Sequence, residues 1–458
     1  MFKNLLIFCV SFTFILTGIK QIYAEPFVYI SNLGDDSVSV VDTATNTVVD
    51  TINSVMTPGD IAVTPNGRFV YVSVSAGGNK FTVIDALTNT VIDTVTIGLN
   101  PYPVVAHPDG TKVYIGNTFD DTVSVIETTN HQVVDTITGV GGDPSSMTIS
   151  IDGSRLYTAD FSGNSVTVIN TVTNMVIGTI NLTDQPFGIG VHPNGTRLYV
   201  SDTNNNSLWV IDTNSNSVID TVTVGNNPEA IIFQPDGSLL YVANEMDDSI
   251  SVVDTATNQS IATINNVGTG PFGLSIHPNG KFLYTNNMSG QGVSVIDTET
   301  MSKVDGVTVG VSPNTFQNFI GPDFLAEANP NNLNFGDQNV GTASGTMTLS
   351  LSFTGLGPLS LTAIDSSGEF SQTDNCGNSL SFAEICTITI TFTPTAAGAR
   401  TGTLTITSNA NNQTLTVPLN GNGVGNGGCS LNKFQPRTNI IPLFFLLFTI
   451  GVLGFRIL

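Results

Sequence analysis

Positive charge is scarce in this chain of 458 residues: Lys and Arg total 13 against 36 Asp and Glu, a formal charge of −23. A surface that acidic repels phosphate backbones and anionic lipid headgroups, which excludes nucleic-acid binding and electrostatic docking on a membrane. Charged residues of either sign are 11% of the chain, less than half of the roughly 25% usual in a globular protein. Four histidines and four cysteines leave little material for a metal centre or thiol chemistry. Lys and Glu, the strong helix formers, are few, while Gly, Asn, Thr and Val abound, so the expected class is all-β. The length allows two or three domains of about 150 residues.

Long apolar runs are confined to the ends. Residues 1–24 carry Lys3, an apolar run over 5–16 and Tyr23-Ala24, the layout of a secretory signal peptide cleaved after Ala24. A retained anchor helix is the alternative, though its extended span would include Lys20. Loss of Lys3 and Lys20 with the leader brings the charge to −25. At the other end, residues 424–458 form a Gly-rich linker, Cys429, a polar spacer with Lys433 and Arg437, apolar residues 440–455 and Arg456. That order is typical of a processed sorting signal. Gly427, Gly428 and Cys429-Ser430 with the tail resemble bacterial C-terminal sorting signals of the Gly/Cys type. The resemblance implies a sorting protease and processing or lipid attachment at Cys429; a retained membrane tail is the alternative. In an exported chain Cys376 and Cys386 are expected to pair, with Cys9 leaving in the leader and Cys429 left over.

What the chain has in abundance is self-similarity. Tyr29, Tyr71, Tyr114, Tyr157, Tyr199, Tyr241 and Tyr284 recur in steps of 42 or 43, and so do Pro58, Pro101, Pro144, Pro186, Pro228, Pro271 and Pro313. Each unit holds four short β-branched runs separated by turn signals such as Asn66-Gly67, Asp109-Gly110 and Asn194-Gly195. Four strands in about 42 residues is the period of a propeller blade. The expected fold is therefore a seven-bladed β-propeller over 25–323. The first unit begins at its second strand and the last ends after a first strand, so 312–320 is expected to complete blade one. Tyr241-Val242-Ala243-Asn244, Ser251-Val252-Val253-Asp254-Thr255 and Pro235-Asp236-Gly237 resemble the YVTN family of propellers, found in surface-layer and other exported microbial proteins.

Beyond Asp323 the period vanishes, and 324–423 reads as an antiparallel sandwich. Leu333-Asn334-Phe335-Gly336, Cys386-Thr387-Ile388, Phe392-Thr393-Pro394 and Gly402-Thr403-Leu404-Thr405-Ile406 resemble the immunoglobulin-like choice-of-anchor D domains. That resemblance implies a spacer or interaction module without chemistry of its own.

Three constellations could carry function. His107, His192 and His277 lie 85 residues apart, each before a Pro-Asp/Asn-Gly turn; alternate blades hold them too far apart for bonds of about 2 Å to one ion, so they are read as turn packing. His131 has no repeated partner. Tyr102, Phe187 and Phe272 follow the repeat proline in alternate blades, with Gly59, Ser145 and Glu229 between them and Asn314 in the closing strand. They are expected at the channel mouth, either as a binding rim with polar contacts from Glu229 and Asn314 or as rings packed over neighbouring blades. Asn32, Asn117, Asp160, Asp202, Asn244 and Asn287, with Val74 in the second blade, form a third ring, read as caps of their own turns rather than as a Ca²⁺ site. The pairs Asp35-Asp36, Asp120-Asp121 and Asp247-Asp248 read as solvated turn charges. No residue presents itself as catalytic, and neither cofactor nor metal is expected. The expected role is an exported cell-envelope or secreted scaffold for a protein or glycan partner. An extracytoplasmic propeller enzyme, such as a lactonase-like hydrolase, is the alternative.

Overall fold

The computed structural model describes residues 26–425 except 318, 324, 354–358, 381–383, 409 and 411–413. The leader and the C-terminal tail with Gly427, Gly428 and Cys429 lie outside the described residues. Seven sheets follow the 42-residue period. In blade two the strands Pro58–Val63, Phe69–Val74, Lys80–Asp85 and Thr90–Thr96 pair in sequence order from the channel outward. The second and third strands are buried on both faces, which is why they read as unbroken apolar runs; the outermost alternates half-buried and exposed positions.

The hairpin glycines take positive φ, Gly67 at 74°, and Gly67 N donates to Thr64 O at 2.7 Å. Asn66 keeps ordinary backbone angles while its side chain accepts from Arg68 N, so the loop is five residues long, 64–68, and the Asn-Gly pair is not a two-residue turn. On the outermost strand one residue is extra: Val83 faces Asp93 and Ile84 faces Val91, which leaves Ile92 unpaired. Such a bulge twists the strand and blunts the rim against edge-to-edge pairing.

Blade one holds Phe27–Asn32, Ser37–Asp42 and Thr47–Asn53. Its innermost strand comes from the far end of the propeller: Asn314 N donates to Ser31 O, Tyr29 N to Phe319 O and Gly321 N to Phe27 O, at 2.9 to 3.0 Å. Pro313 faces Asn32 and Ile320 faces Val28. In blade two the corresponding partners of Val74 and Val70 are Pro58 and Val63. Pro58 to Val63 is five steps and Pro313 to Ile320 is seven, so the closing strand carries two extra residues.

The sandwich packs a sheet of Ala326–Asn329, Met347–Phe353, Cys386–Phe392 and Phe370–Asp374 against one that includes Leu333–Asn339, Thr414–Val424, Gly398–Ser408 and Leu359–Ser366. Ile388, Ile390, Phe392, Leu404, Ile406 and Val417 fill its core, and Phe370 stacks on Phe392. Cys376 and Cys386 form a disulfide inside the same core.

Blades are joined by a repeated polar latch. The Tyr199 hydroxyl of blade five donates to Asn258 Oδ1 in the turn of blade six at 2.7 Å, and Asn258 Nδ2 returns to Asp220 Oδ2 of blade five at 2.8 Å. Asn89 to Asp50, Asn174 to Asp135 and Asn46 to Asp305 repeat the second contact. Each turn residue needs positive φ, near 50° for the asparagines, a conformation Asn tolerates. In blade three His131 holds that position and its Nδ1 meets the Tyr71 hydroxyl at 2.7 Å. In blade five Asn216 faces Gly178, which has no carboxylate to offer. Asn258→Ala and Asn216→Ala share the same backbone strain, so their difference isolates the latch. We expect Asn258→Ala to cost about 1–2 kcal/mol more than Asn216→Ala in chemical denaturation, and equal costs would contradict the latch.

Candidate functional site

All inner strands begin at one end of the channel, each with the repeat proline. The residue after that proline is therefore placed at the mouth. There Phe316 of the closing strand sits at the centre, 1% exposed, with ring centroids 5.4 Å from Phe187 and 5.2 Å from Phe272. Phe187 and Phe272 also meet each other at 6.2 Å, and Phe161 leans on Phe187 at 6.1 Å. These are edge-to-face contacts of the kind aromatic quadrupoles favour. The Tyr102 hydroxyl reaches Asn314 Oδ1 at 3.4 Å.

The mouth is thus a packed lid rather than an open rim. Phe272, Glu229, Asn314 and Ser145 are buried and Tyr102, Phe161 and Phe187 are half-buried, because the two extra residues of the closing strand push Phe316 among them. Ser145 is spent on backbone carbonyls of Ala159 and Phe187, and Gly59 lies against Ser73 and Ser75.

Glu229 is the unusual acid of the lid. Its Oε1 accepts from Asn227 Nδ2 at 2.8 Å, and the same amide donates to Glu245 Oε2 at 2.6 Å. Its Oε2 has no hydrogen-bond partner among the described residues. Burial, with a smaller push from the Glu245 charge, raises the Glu229 carboxyl to about 8.

Three residues that sequence reasoning missed hold the channel. Asp60, 2% exposed, accepts from Phe316 N through Oδ1 at 2.8 Å and from Val104 N through Oδ2 at 3.1 Å. Burial outweighs those donors and lifts its carboxyl to about 7. Phe316 O accepts from Leu274 N of blade seven at 2.9 Å. Gln317 reaches across the channel, its Nε2 donating to Ile231 O at 3.0 Å and Ile189 O at 3.4 Å. The readable signal was the longer spacing after Pro313 and the aromatic and amide where the other blades carry aliphatic or small residues, as in Ile61-Ala62 and Leu274-Ser275.

The other constellations resolve into packing. His107 Nε2 meets Gly153 O and His192 Nε2 meets Gly237 O, each at 3.0 Å in the hairpin of the following blade. The ring after the tyrosines does not cap its own turns, apart from Asp202. Asn32 donates to Ser37 and Ser39, Asn117 to Thr122 and Ser124, Asn244 to Ser249 and Ser251, and Asn287 to Ser294, all across the hairpin on the partner strand. Asp160 accepts there from Ser165 and Thr167 and is pushed up to about 6 by burial. Asp202 alone keeps a turn bond, from Asn205 N at 3.2 Å. The acid pairs are engaged as well: Asp36 accepts from Thr57 N and Asp248 from Gly270 N, both in the loop leading to the next blade. No group of three potential ligands gathers among the described residues.

Comparison with known proteins follows this division. A family profile described as "Lactonase, 7-bladed beta-propeller" matches 171–261 and 217–317. One described as "Abnormal spindle-like microcephaly-assoc'd, ASPM-SPD-2-Hydin" matches 324–415, the immunoglobulin-like sandwich. No curated protein matches the chain. Among solved structures, Kuenenia stuttgartiensis hydrazine synthase aligns at 23% identity and a TM-score of 0.51, over 56% of this chain and 88% of that one. A functionally unknown protein from Desulfotomaculum acetoxidans DSM 771 aligns at 16% identity and a TM-score of 0.57, over 65% of this chain and 99% of that one. At such identities the likeness is one of fold.

Two outcomes test the lid. Asp60→Asn sets an amide NH₂ against one of two backbone donors, and we expect a loss of about 1–3 kcal/mol in chemical denaturation despite the equal size. A neutral result would contradict the Asp60 hydrogen bonds. Glu229 titrates near 8 in the folded chain against an ordinary 4.5. The folded chain therefore holds this proton more tightly, and the resulting stabilisation is complete below pH 4.5, declines as pH rises and is gone above about 8. Melting temperature should fall less between pH 5 and 8 in Glu229→Gln than in the wild type, and equal slopes by calorimetry would contradict the burial of that carboxyl.

Proposed function

We propose that the chain is an exported, non-catalytic scaffold that holds a protein or glycan partner on the propeller face where the inner strands begin. The observation that carries this is the filled mouth of the channel: Phe316 and the aromatic lid, with Gln317 beneath them, occupy the space on this face where a propeller enzyme would gather reacting groups around a substrate. What that face offers instead is relief. Met56, Phe119 and Met246 are 70 to 75% exposed on its loops, and half-buried Tyr102, Phe161 and Phe187 lie between them. Exposed aromatics and methionines suit stacking on sugar rings or packing against an apolar protein patch.

On this proposal the repeat is of the YVTN type and the sandwich serves as a choice-of-anchor D spacer. The tail with Gly427, Gly428 and Cys429 holds the protein at the envelope until a sorting protease acts. The buried disulfide between Cys376 and Cys386 suits an oxidising compartment.

A lactonase-like hydrolase is the second reading, favoured by the family profile over 171–317 and by the raised Glu229 carboxyl. Binding to a glycan array with parallel assay of aliphatic lactones separates the two. We expect selective glycan or protein binding that falls at least tenfold in Phe119→Ala/Met246→Ala at unchanged melting temperature, with no lactone turnover above buffer. Lactone hydrolysis that disappears in Glu229→Gln would overturn the scaffold.

A further inference from the structure

The opposite end of the channel is not filled. There the inner strands finish, and a depression of about 340 Å³ opens below Gln317. Its wall is built from strand ends: Val63 of blade two, Ala106 of blade three, Ile149 of blade four, Val191 of blade five and Ile232 of blade six. None of the described residues lining it is acidic, and none is Lys or Arg. At its lip Ile151 is 68% exposed, in the hairpin position that Pro65, Pro108 and Pro193 hold in neighbouring blades. The volume lies at the lower end of the roughly 300–1,000 Å³ typical of small-molecule sites.

The polar atoms of the wall are almost all committed. His192 Nε2 meets Gly237 O at 3.0 Å and its Nδ1 accepts from Asn194 N at 3.1 Å. Thr148 Oγ1 accepts from Val191 N at 3.4 Å. Gln317 Nε2 is fixed as the nitrogen because it faces two carbonyls, Ile231 O and Ile189 O. Its Oε1 therefore remains as an acceptor, and no described residue donates to it. An apolar cup with one free acceptor in its floor selects ligands by what they lack as much as by what they carry: a charge would be desolvated without a partner, whereas one O–H or N–H donor would be satisfied.

We propose that this end of the channel is a binding site for a small, uncharged, largely apolar molecule bearing one hydroxyl or N–H donor. The donor sits on Gln317 Oε1 and the apolar body lies against Ile149, Val191 and Ile232. The site is separate from the partner face proposed above, and neither depends on the other.

Phenol is the probe, read by isothermal titration and by saturation-transfer NMR on the full chain, with toluene and benzoate as comparators. We expect saturable one-to-one binding of phenol with a dissociation constant on the order of millimolar, as befits seven heavy atoms. Toluene, which has no donor, should bind about five- to tenfold more weakly, and benzoate should not bind. Ala106→Trp fills the cup and should abolish phenol binding. Because that variant could also disturb folding, Val63→Phe at the strand end serves as the second, with melting measured for both. Absence of saturable phenol binding, or binding unchanged in a folded filled-cup variant, would overturn the site. Equal affinity for phenol and toluene would overturn the role of Gln317.

Discussion

A ring of sheets keeps an unpaired edge until its last strand is supplied, and here one segment, 313–320, supplies it. The bonds from Asn314 N to Ser31 O and from Tyr29 N to Phe319 O tie the end of the propeller to its beginning. Because that strand is two residues longer than its counterparts, closure and channel filling are the same event. Thr315 Oγ1 takes over the backbone amide of Ser31 at 2.8 Å, and the surplus chain swings Phe316 and Gln317 into the axis. Asp60 is a consequence: two amides turned into the channel, of Phe316 and Val104, need acceptors there, and a buried carboxyl meets both.

The acidity that marks the composition has a comparable structural origin. Asp50, Asp135, Asp220 and Asp305 latch four of the seven blades to the next, while Asp42, Asp85, Asp212, Asp254 and Asp297 hold their own turns by accepting backbone amides. The few cations are used in the same frame: Arg155 reaches Thr213 O and Arg197 reaches Thr255 O in the following blade, and Arg68 pairs with Asp85. The negative charge is thus largely the sum of repeated turns and latches.

Much of the fold was legible because a repeat amplifies weak local signals. One tyrosine or one Asn-Gly says little, but a tyrosine and a proline every 42 or 43 residues fix the blade, and the phase of the repeat fixes which segment closes it. The site was less legible because it depends on departures from the repeat. Tyr102, Phe187, Phe272, Glu229 and Asn314 were found from their shared position, yet their burial follows from Phe316, which only the irregular spacing after Pro313 announces. Asp60 looked like one more acid among many. Asn32 and its counterparts were assigned to turn backbones because Asx residues favour such bonds, but a serine or threonine directly across the hairpin offers a shielded partner, and the buried side chain takes it.

Amide hydrogen exchange over 313–320 tests most directly whether this segment both closes the ring and fills its channel. The amides of Asn314 and Phe316 in the segment, and those of Tyr29 and Leu274 that it binds, are donors in buried hydrogen bonds. They should exchange only through global opening, with protection equal to that of the blade cores. Exchange at the rate of the exposed loops, within seconds to minutes while the blades stay protected, would contradict the account.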